Sequence, residues 1–304
     1  MQEKISFDAA LENKAAKLPE ELLSLILEPP TIEGLADASF RVGIPLDLQG
    51  YLFSWQLVFD HFQNSSYKVK SDYIESLKEG DHLSGLLDLT YNLLGHVRGR
   101  PVDVSKFDIT RYDYTEQEDD LSENDISAER RMQWLLAHLF FLCLTHIPSL
   151  TKSHFLNITS RQTSLAVESW TAKYIAPRVI NASLSSVSEW AATTAKDDPD
   201  SENLTVKVAM RTREVNVSYL VDEQTMAIVV RLPETYPLTG ARVDGVNRVA
   251  VDEKKWQSWL RSCQGVITFS VSCRILSTLI ALDIADGIHR TATLSMASPH
   301  GAKM

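Results

Sequence analysis

Three successive stretches between residues 204 and 232 alternate apolar and polar side chains. A period of two is typical of strands that bury one face. The apolar positions are Leu204, Val206, Val208 and Met210, then Val215, Val217, Tyr219 and Val221, then Met226, Ile228, Val230 and Leu232. The pattern predicts three strands with a short polar hairpin connection at Asp222-Glu223-Gln224. Pro233 ends the third strand because it has no backbone N–H to donate to a ladder.

A fourth, shorter strand is predicted within 242–251, around Gly245-Val246-Asn247, and a helix follows it. Here the apolar period changes from two to about 3.6, which is typical of a helix with one buried face. The positions are Trp256, Trp259, Leu260, Cys263 and Ile267. Asp252 precedes them as a candidate N-cap, and Glu253 stands where the helix dipole favours a negative charge. Four antiparallel strands with one packed helix form a small α+β unit.

The first two-thirds of the chain reads as a run of apolar helices with short connections. The predicted helices are 18–27, 46–62, 65–80, 83–94, 128–147, 161–175 and 177–192. The most apolar of them, 128–147, is too short to span a bilayer, which takes roughly 20 apolar residues. We interpret it as a central core helix, and the whole run as a helical repeat region in which each pair needs neighbours to bury its faces.

Two stretches have few apolar residues and predict connections. Residues 98–125 are expected to form a solvated loop, and 196–202 a polar, proline-containing linker. Residues 271–304 are expected to contain a helix to about residue 285 and then a disordered tail. The predicted organisation is therefore a helical region over 1–195, a linker over 196–202, an α+β domain over 203–270 and a divergent tail over 271–304.

The net charge limits the kinds of partner that this protein is expected to bind, and the cysteine content indicates its cellular compartment. The formal net charge is −10 and the sequence pI is about 5.3, which argues against a global attraction to phosphate backbones, including DNA, or to an anionic membrane. The net charge does not exclude a local basic patch. The three cysteines have no metal-ligand spacing and are expected to be reduced thiols. The first residues lack the apolar core of a secretory signal, so we expect a cytosolic protein.

The chain shows no motif for self-sufficient catalysis. It has no glycine-rich phosphate loop, no nucleophile elbow and no His/Cys/Asp cluster at ligand spacing. We therefore predict no catalytic residue, no metal ligand and no cofactor in this chain. Asp60-His61, within an aromatic segment, is either an acid–base pair or a hydrogen-bonded edge of the core. His138 and His146 are expected to be core or edge residues.

Several long, collinear blocks resemble the listerin family. They are residues 51–89 (YLFSWQLVFDHFQNSSYKVKSDYIESLKEGDHLSGLLDL), 144–155 (LTHIPSLTKSHF), 160–177 (SRQTSLAVESWTAKYIAP), 217–243 (VSYLVDEQTMAIVVRLPETYPLTGARV) and 249–260 (VAVDEKKWQSWL). The resemblance covers roughly 18–268. It implies a HEAT-like helical region followed by an RWD-type domain, with Tyr236, Pro237, Trp256 and Trp259 in the core of that domain.

The resemblance also implies a function. Listerins are RING-type ubiquitin ligases of ribosome-associated quality control, which modify nascent chains stalled on the large (60S) ribosomal subunit for proteasomal degradation. They work with a factor that senses the nascent chain and its tRNA, and with a ubiquitin-conjugating enzyme that binds the RING. Near Ser270 the sequence departs from the family pattern. A cross-brace zinc site needs about eight Cys and His ligands, which three cysteines do not supply. Zinc and transfer chemistry would belong to the RING.

We therefore expect this chain to supply a ribosome-docking part, in the cytosol and associated with ribosomes. The candidate contacts are the surface cations Arg242, Arg248, Lys254 and Lys255, whose clustering gives local affinity for ribosomal RNA or protein. The alternative interpretation of the same four residues is that they are ordinary surface charges without a role in docking. The alternative function is a non-catalytic scaffold that binds proteins through its helices and its RWD-type sheet.

Overall fold

The computed structural model of the chain describes residues 15–31, 43–63, 65–112, 127–197, 203–221, 223–249 and 252–269. The chain divides into two compact units, 1–167 and 168–304. Within the described residues, eight helices precede a four-stranded antiparallel sheet and a ninth helix follows it. The predicted α+β fold class, a helical region followed by a small sheet with a packed helix, is confirmed.

The helices that precede the sheet include every one that the sequence predicted. They are α1 (Glu20–Leu27), α2 (Leu46–Gln63), α3 (Tyr67–Glu79), α4 (His82–Leu93), α5 (Ala128–His146), α6 (Pro148–Leu156), α7 (Arg161–Tyr174) and α8 (Ala176–Asp197). Side-chain caps fix two of the starts. The Ser66 hydroxyl accepts from the Val69 N–H and the Ser127 hydroxyl from the Arg130 N–H, which satisfies donors that have no intrahelical partner.

Helix α5 is the core of the first unit, as its sequence predicts. It lies against α2, α4 and α6, and Leu135, Leu136 and Leu139 are completely buried. No single helix among the described residues is long and apolar enough to cross a membrane. By length and composition, α5 and α6 pass that test only as a pair, and their axes meet at 109°.

The sequence pattern does not predict helix α6, because the predicted helix over 128–147 ends just before Pro148 and the next begins at residue 161. Pro148 does end α5, but it also occupies the first turn of α6. Proline is well tolerated there, since the first N–H groups of a helix have no intrahelical acceptor and the fixed φ of proline suits a helix. The segment after Pro148 is mostly polar at its surface, with only Pro148 and Thr151 buried, so its apolar pattern was weak.

The prediction of a solvated loop over 98–125 is wrong for 98–112. Here four apolar side chains, Val104, Phe107, Ile109 and Tyr112, are at most 7% exposed. The Trp134 indole N–H donates to the carbonyl oxygen of Asp108 at 3.1 Å, and the His138 Nδ1 donates to the Ile109 carbonyl at 2.9 Å. The segment therefore packs along α5 without regular secondary structure. Residues 113–125 lie outside the described part of the chain.

The sheet has the strand order β1-β2-β3-β4, with every neighbouring pair antiparallel. The strands are β1 (Leu204–Ala209), β2 (Glu214–Val221), β3 (Gln224–Arg231) and β4 (Arg242–Asn247). Val217 stands opposite Val206 on one side and opposite Ile228 on the other. The predicted apolar positions within the strands thus share one face, and Val215, Ile228 and Val230 are at most 1% exposed. The prediction is wrong for Met210, which lies beyond the end of β1 and is 43% exposed.

Helix α9 (Glu253–Phe269) begins where the sequence places it. The Asp252 carboxylate accepts from the Lys254 N–H at 3.0 Å, as an N-cap should. Trp256, Cys263 and Ile267 are buried at helical spacing. Most of the predicted linker and all of the predicted tail over 271–304 lie outside the described residues, and the proposed domain limits stay predictions.

The burial of segment 98–112 predicts a large loss of stability for Ile109→Ala. Removing a fully buried isoleucine side chain beyond Cβ should lower the free energy of unfolding by about 2–5 kcal/mol. Lys106→Ala, in the same segment but at an exposed position, should change it by less than about 0.5 kcal/mol. Urea titration of both variants measures the difference. Equal, small effects would mean that the segment is solvated.

Candidate interaction surface

The end of β4 and the start of α9 are brought together by a glycine. A Cβ on Gly245 would stand 2.8 Å from two atoms of the Trp256 indole ring, closer than such atoms approach. The φ angle of Gly245 lies outside the left-handed region, so the glycine is needed here for space. The indole of Trp256 therefore lies directly on the backbone of β4, and this contact fixes where the first turn of α9 stands.

A side-chain amide secures the other end of β4 to the same helix. The Gln264 Oε1 accepts from the Val243 N–H at 2.9 Å, and its Nε2 donates to the Ala241 carbonyl at 2.8 Å. The amide thus mimics a neighbouring strand on the outer edge of β4, which is an edge strand of the sheet. Edge strands with unpaired backbone groups invite association, and this clamp satisfies two of those groups.

The structure groups three of the four predicted contact cations. Arg248, Lys254 and Lys255 are exposed around the start of α9. Arg242 is also exposed, but it stands at the opposite end of β4, about 20 Å away along an extended strand. Arg248 is partly neutralised, since its guanidinium pairs with the Glu253 carboxylate at 2.5 Å. Lys254 and Lys255 are therefore the strongest local cations at this corner.

The four predicted core residues of the domain differ in burial. Tyr236 and Pro237 are buried in the connection between β3 and β4, and the peptide bond between them is cis. Trp256 is 6% exposed. Trp259 is only half-buried, with its ring centroid 5.1 Å from that of Trp256. The two rings form one aromatic pair at the start of α9.

Two further cations near this surface were not singled out from the sequence. Arg261 is exposed and stands seven residues after Lys254, on the same face of α9, so the helical period alone would have found it. Arg231 is neutralised on the sheet, where it donates to the Glu214 carboxylate at 2.8 Å and pairs with Asp244. The hydrogen bond from Arg231 holds the pKa of Glu214 below its ordinary value.

The described residues offer no arrangement for catalysis or metal binding. They contain no group of three or more His, Cys, Asp or Glu side chains that would hold a metal ion. The two cysteines of the described part, Cys143 and Cys263, are buried, and burial raises the pKa of the Cys143 thiol. A buried, protonated thiol is a poor nucleophile.

The histidines singled out from the sequence lie within or at the edge of the helical core. Asp60 accepts a hydrogen bond from the Gln56 amide at 3.2 Å, while the His61 ring lies edge-on to Tyr73 at 6.4 Å. This arrangement favours the edge-of-core interpretation of Asp60-His61. His138 is buried, and burial lowers its pKa. The His146 ring stacks on Phe59 at a centroid distance of 6.0 Å.

Comparison with known proteins gives two family matches. The model described as the LTN1 family HEAT repeat region matches residues 1–188. The model described as ubiquitin conjugating domain-like matches residues 204–279, which contain the sheet and α9. The two matches follow the same order as the helical region and the α+β domain of the fold.

Curated relatives extend this similarity across most of the chain. A protein of Neurospora crassa named E3 ubiquitin-protein ligase listerin is 41% identical over 269 residues, 88% of this chain. Proteins of the same name from Schizosaccharomyces pombe and Saccharomyces cerevisiae are 31% and 30% identical over 73% and 84% of the chain. The chain spans 17%, 13% and 16% of the length of these three relatives, in the same order.

The close approach at Gly245 predicts that Gly245→Ala destabilises the domain. The added methyl group must displace the Trp256 ring or the strand, at a cost of about 1–3 kcal/mol. Gly265→Ala on α9 is the matched control, because a Cβ there meets nothing within 4 Å. It should raise stability by roughly 0.5–1 kcal/mol, since alanine is the better helix former. Denaturant midpoints measure both changes, and a neutral Gly245→Ala would contradict the packing.

Proposed function

Since the chain belongs to the listerin family of E3 ubiquitin-protein ligases, we propose that it is the part of such a ligase that docks on the large (60S) ribosomal subunit. Docking holds the ligase beside nascent chains that have stalled during synthesis. Ubiquitin transfer to these chains then directs them to the proteasome. The collinear match of the helical region and the α+β domain to listerins is the observation that carries this proposal.

The proposal divides the work between binding and chemistry. The transfer would be performed by a zinc-containing RING with a bound ubiquitin-conjugating enzyme, and a factor that senses the nascent chain and its tRNA would act beside it. The location would be the cytosol, on ribosomes. What this chain contributes is position, which raises the local concentration of the acceptor lysines.

The start of α9 is the surface we assign to docking. It presents the Lys254 and Lys255 ammonium groups next to Arg248, with Arg261 one helical repeat further along. In a chain of net charge −10, such a local concentration of cations gives attraction to ribosomal phosphates or acidic ribosomal proteins at short range. Salt should weaken this attraction, because the groups are exposed.

A non-catalytic scaffold is the second candidate function, and exposed apolar side chains on the helical unit favour it. Leu25 is 61% exposed, Leu27 55% and Leu46 85%. Such a group is suited to another protein surface, independently of the ribosome. A scaffold of this kind would bind through these leucines and would be unaffected by changes at the start of α9.

The docking proposal predicts that Lys254→Glu/Lys255→Glu reduces cosedimentation with purified large subunits by about tenfold or more at 100 mM salt. The substitution should not harm the fold, because acidic residues in the first turn of a helix are favoured by the dipole, by about 0.3–1 kcal/mol each. Loss of binding would therefore report a lost contact. Arg242→Glu, made separately, tests whether the distant end of β4 also contributes.

The matched control is Lys17→Glu/Lys78→Glu, which makes the same change in charge on exposed positions of the helical unit. It should retain most of the binding. Unchanged binding of Lys254→Glu/Lys255→Glu, with a stability at or above that of the parent chain, would refute docking through α9. Equal losses in both variants would show that only the net charge matters.

A further inference from the structure

The irregular segment that packs along α5, around residues 98–112, carries an unusual concentration of positive charge. Residues 94–112 contain four cations and two acids, in a chain with 30 Lys and Arg against 40 Asp and Glu. The four cations, with Arg161 at the start of α7, are all exposed. We call these five residues the cationic strip: Arg98, Arg100, Lys106, Arg111 and Arg161.

The first part of the strip stands on a preformed turn. The Arg100 N–H donates to the Gly95 carbonyl at 3.1 Å, and the Val102 N–H donates to the Leu94 carbonyl at 2.9 Å. Gly95 and Gly99 have φ angles of 80° and 66°, a region that favours glycine. The backbone that presents Arg98 and Arg100 is therefore fixed before any partner binds, which lowers the entropic cost of binding.

The turn lies beside the start of α7, which adds Arg161 to the strip. A Cβ on Gly99 would stand 2.1 Å from the Gln162 Nε2, so the Gln162 side chain rests directly on Gly99. Arg161 is the preceding residue. The guanidinium groups of Arg98, Arg100 and Arg161 thus start from neighbouring points of the backbone.

An aromatic stack anchors the second part of the strip to α5. The Phe107 and Trp134 rings are stacked, with centroids 5.7 Å apart and an angle of 11° between their planes. The Tyr112 ring meets Trp134 edge-on, with the two centroids 5.1 Å apart. The Arg130 guanidinium lies 4.6 Å above the Phe107 ring. Lys106 directly precedes Phe107, and Arg111 directly precedes Tyr112. The backbone positions of both cations are therefore also fixed.

Most of the charge on the strip is not neutralised by the residues that the structure describes. Arg111 pairs with Asp108 at 3.2 Å, with its side chain still 82% exposed. Within the described ranges, no carboxylate lies within 4.0 Å of the cationic groups of Arg98, Arg100 or Lys106. Like charges held close together repel, and the cost is recovered when a polyanion covers them. The fold maintains this repulsion on a rigid support.

We propose that the cationic strip binds the phosphodiester backbone of RNA. Four of its five members are arginines, whose planar guanidinium forks match phosphate oxygens, and all five side chains are exposed. The five cations stand at exposed positions, where they reach backbone phosphates without reading base edges, so binding is independent of sequence. The strip belongs to the helical unit, and its role does not depend on the docking surface at α9.

The proposal predicts that Arg98→Glu/Arg100→Glu/Lys106→Glu weakens RNA binding by at least about tenfold. The probe is a fluorescein-labelled single-stranded RNA of 20 nucleotides and mixed sequence, titrated with the full 304-residue chain while anisotropy is recorded from 50 to 200 mM KCl. Losing three phosphate contacts should also reduce the slope of log K against log salt by about 2, at roughly 0.7 for each contact.

The control Lys17→Glu/Lys68→Glu/Lys78→Glu makes the same charge change at exposed positions that do not belong to the strip. It should bind RNA within about threefold of the parent chain, with the same salt slope. Three results would overturn the proposal: no RNA binding by the parent chain at 50 mM KCl, equal weakening in both variants, or tighter binding to polyglutamate of equal charge than to the RNA.

Discussion

The contact between the backbone of β4 and the indole of Trp256 is the constraint on which the surface of the α+β domain depends. Only a residue without Cβ leaves room for the ring at Gly245. The ring fixes the first turn of α9, and the Gln264 amide fixes the helix again on Val243 eight residues later. Because the helix is held at both points, Lys254 and Lys255 are presented at one defined place. A binding surface made of flexible lysines gains its geometry from this buried support.

The helical unit obtains a second charged surface by a different route. Its support is not a regular element but a turn with two left-handed glycines and an aromatic stack on α5. In both places a buried aromatic side chain of the chain's own core holds cations in an otherwise acidic protein. Net charge therefore says little about what this protein binds, because the relevant field acts over about 8–10 Å at physiological salt. Local charge on a rigid backbone decides the partner.

The sequence predicts the parts of this fold whose signal is periodic. Alternation gave the three long strands, and the spacing of Trp256, Cys263 and Ile267 gave α9 with its Asp252 cap. The sequence does not reveal α6, since a proline both ends one helix and begins the next. Nor does it reveal the burial of 98–112, whose apolar residues are held by backbone carbonyl contacts with Trp134 and His138. Irregular packing of this kind has no period to detect.

For the candidate site, the sequence supplied the cations but not their pairing. Arg248 and Lys254 are equivalent by charge, yet Glu253 neutralises only Arg248. Arg242 is close in sequence to the others and far from them along the extended strand. The strand register and the first residue of α9 decide which cations are paired and which lie together. Both are set by tertiary contacts.

Hydrogen exchange with and without purified large ribosomal subunits tests the central claim most directly, because it maps the contact without any substitution. Docking through the start of α9 predicts that amides of residues 252–262 exchange more slowly in the presence of subunits. Amides of α3, which contributes no residue to either cationic surface, should be unchanged. Protection absent from 252–262, with slower exchange elsewhere in the chain, would contradict the account.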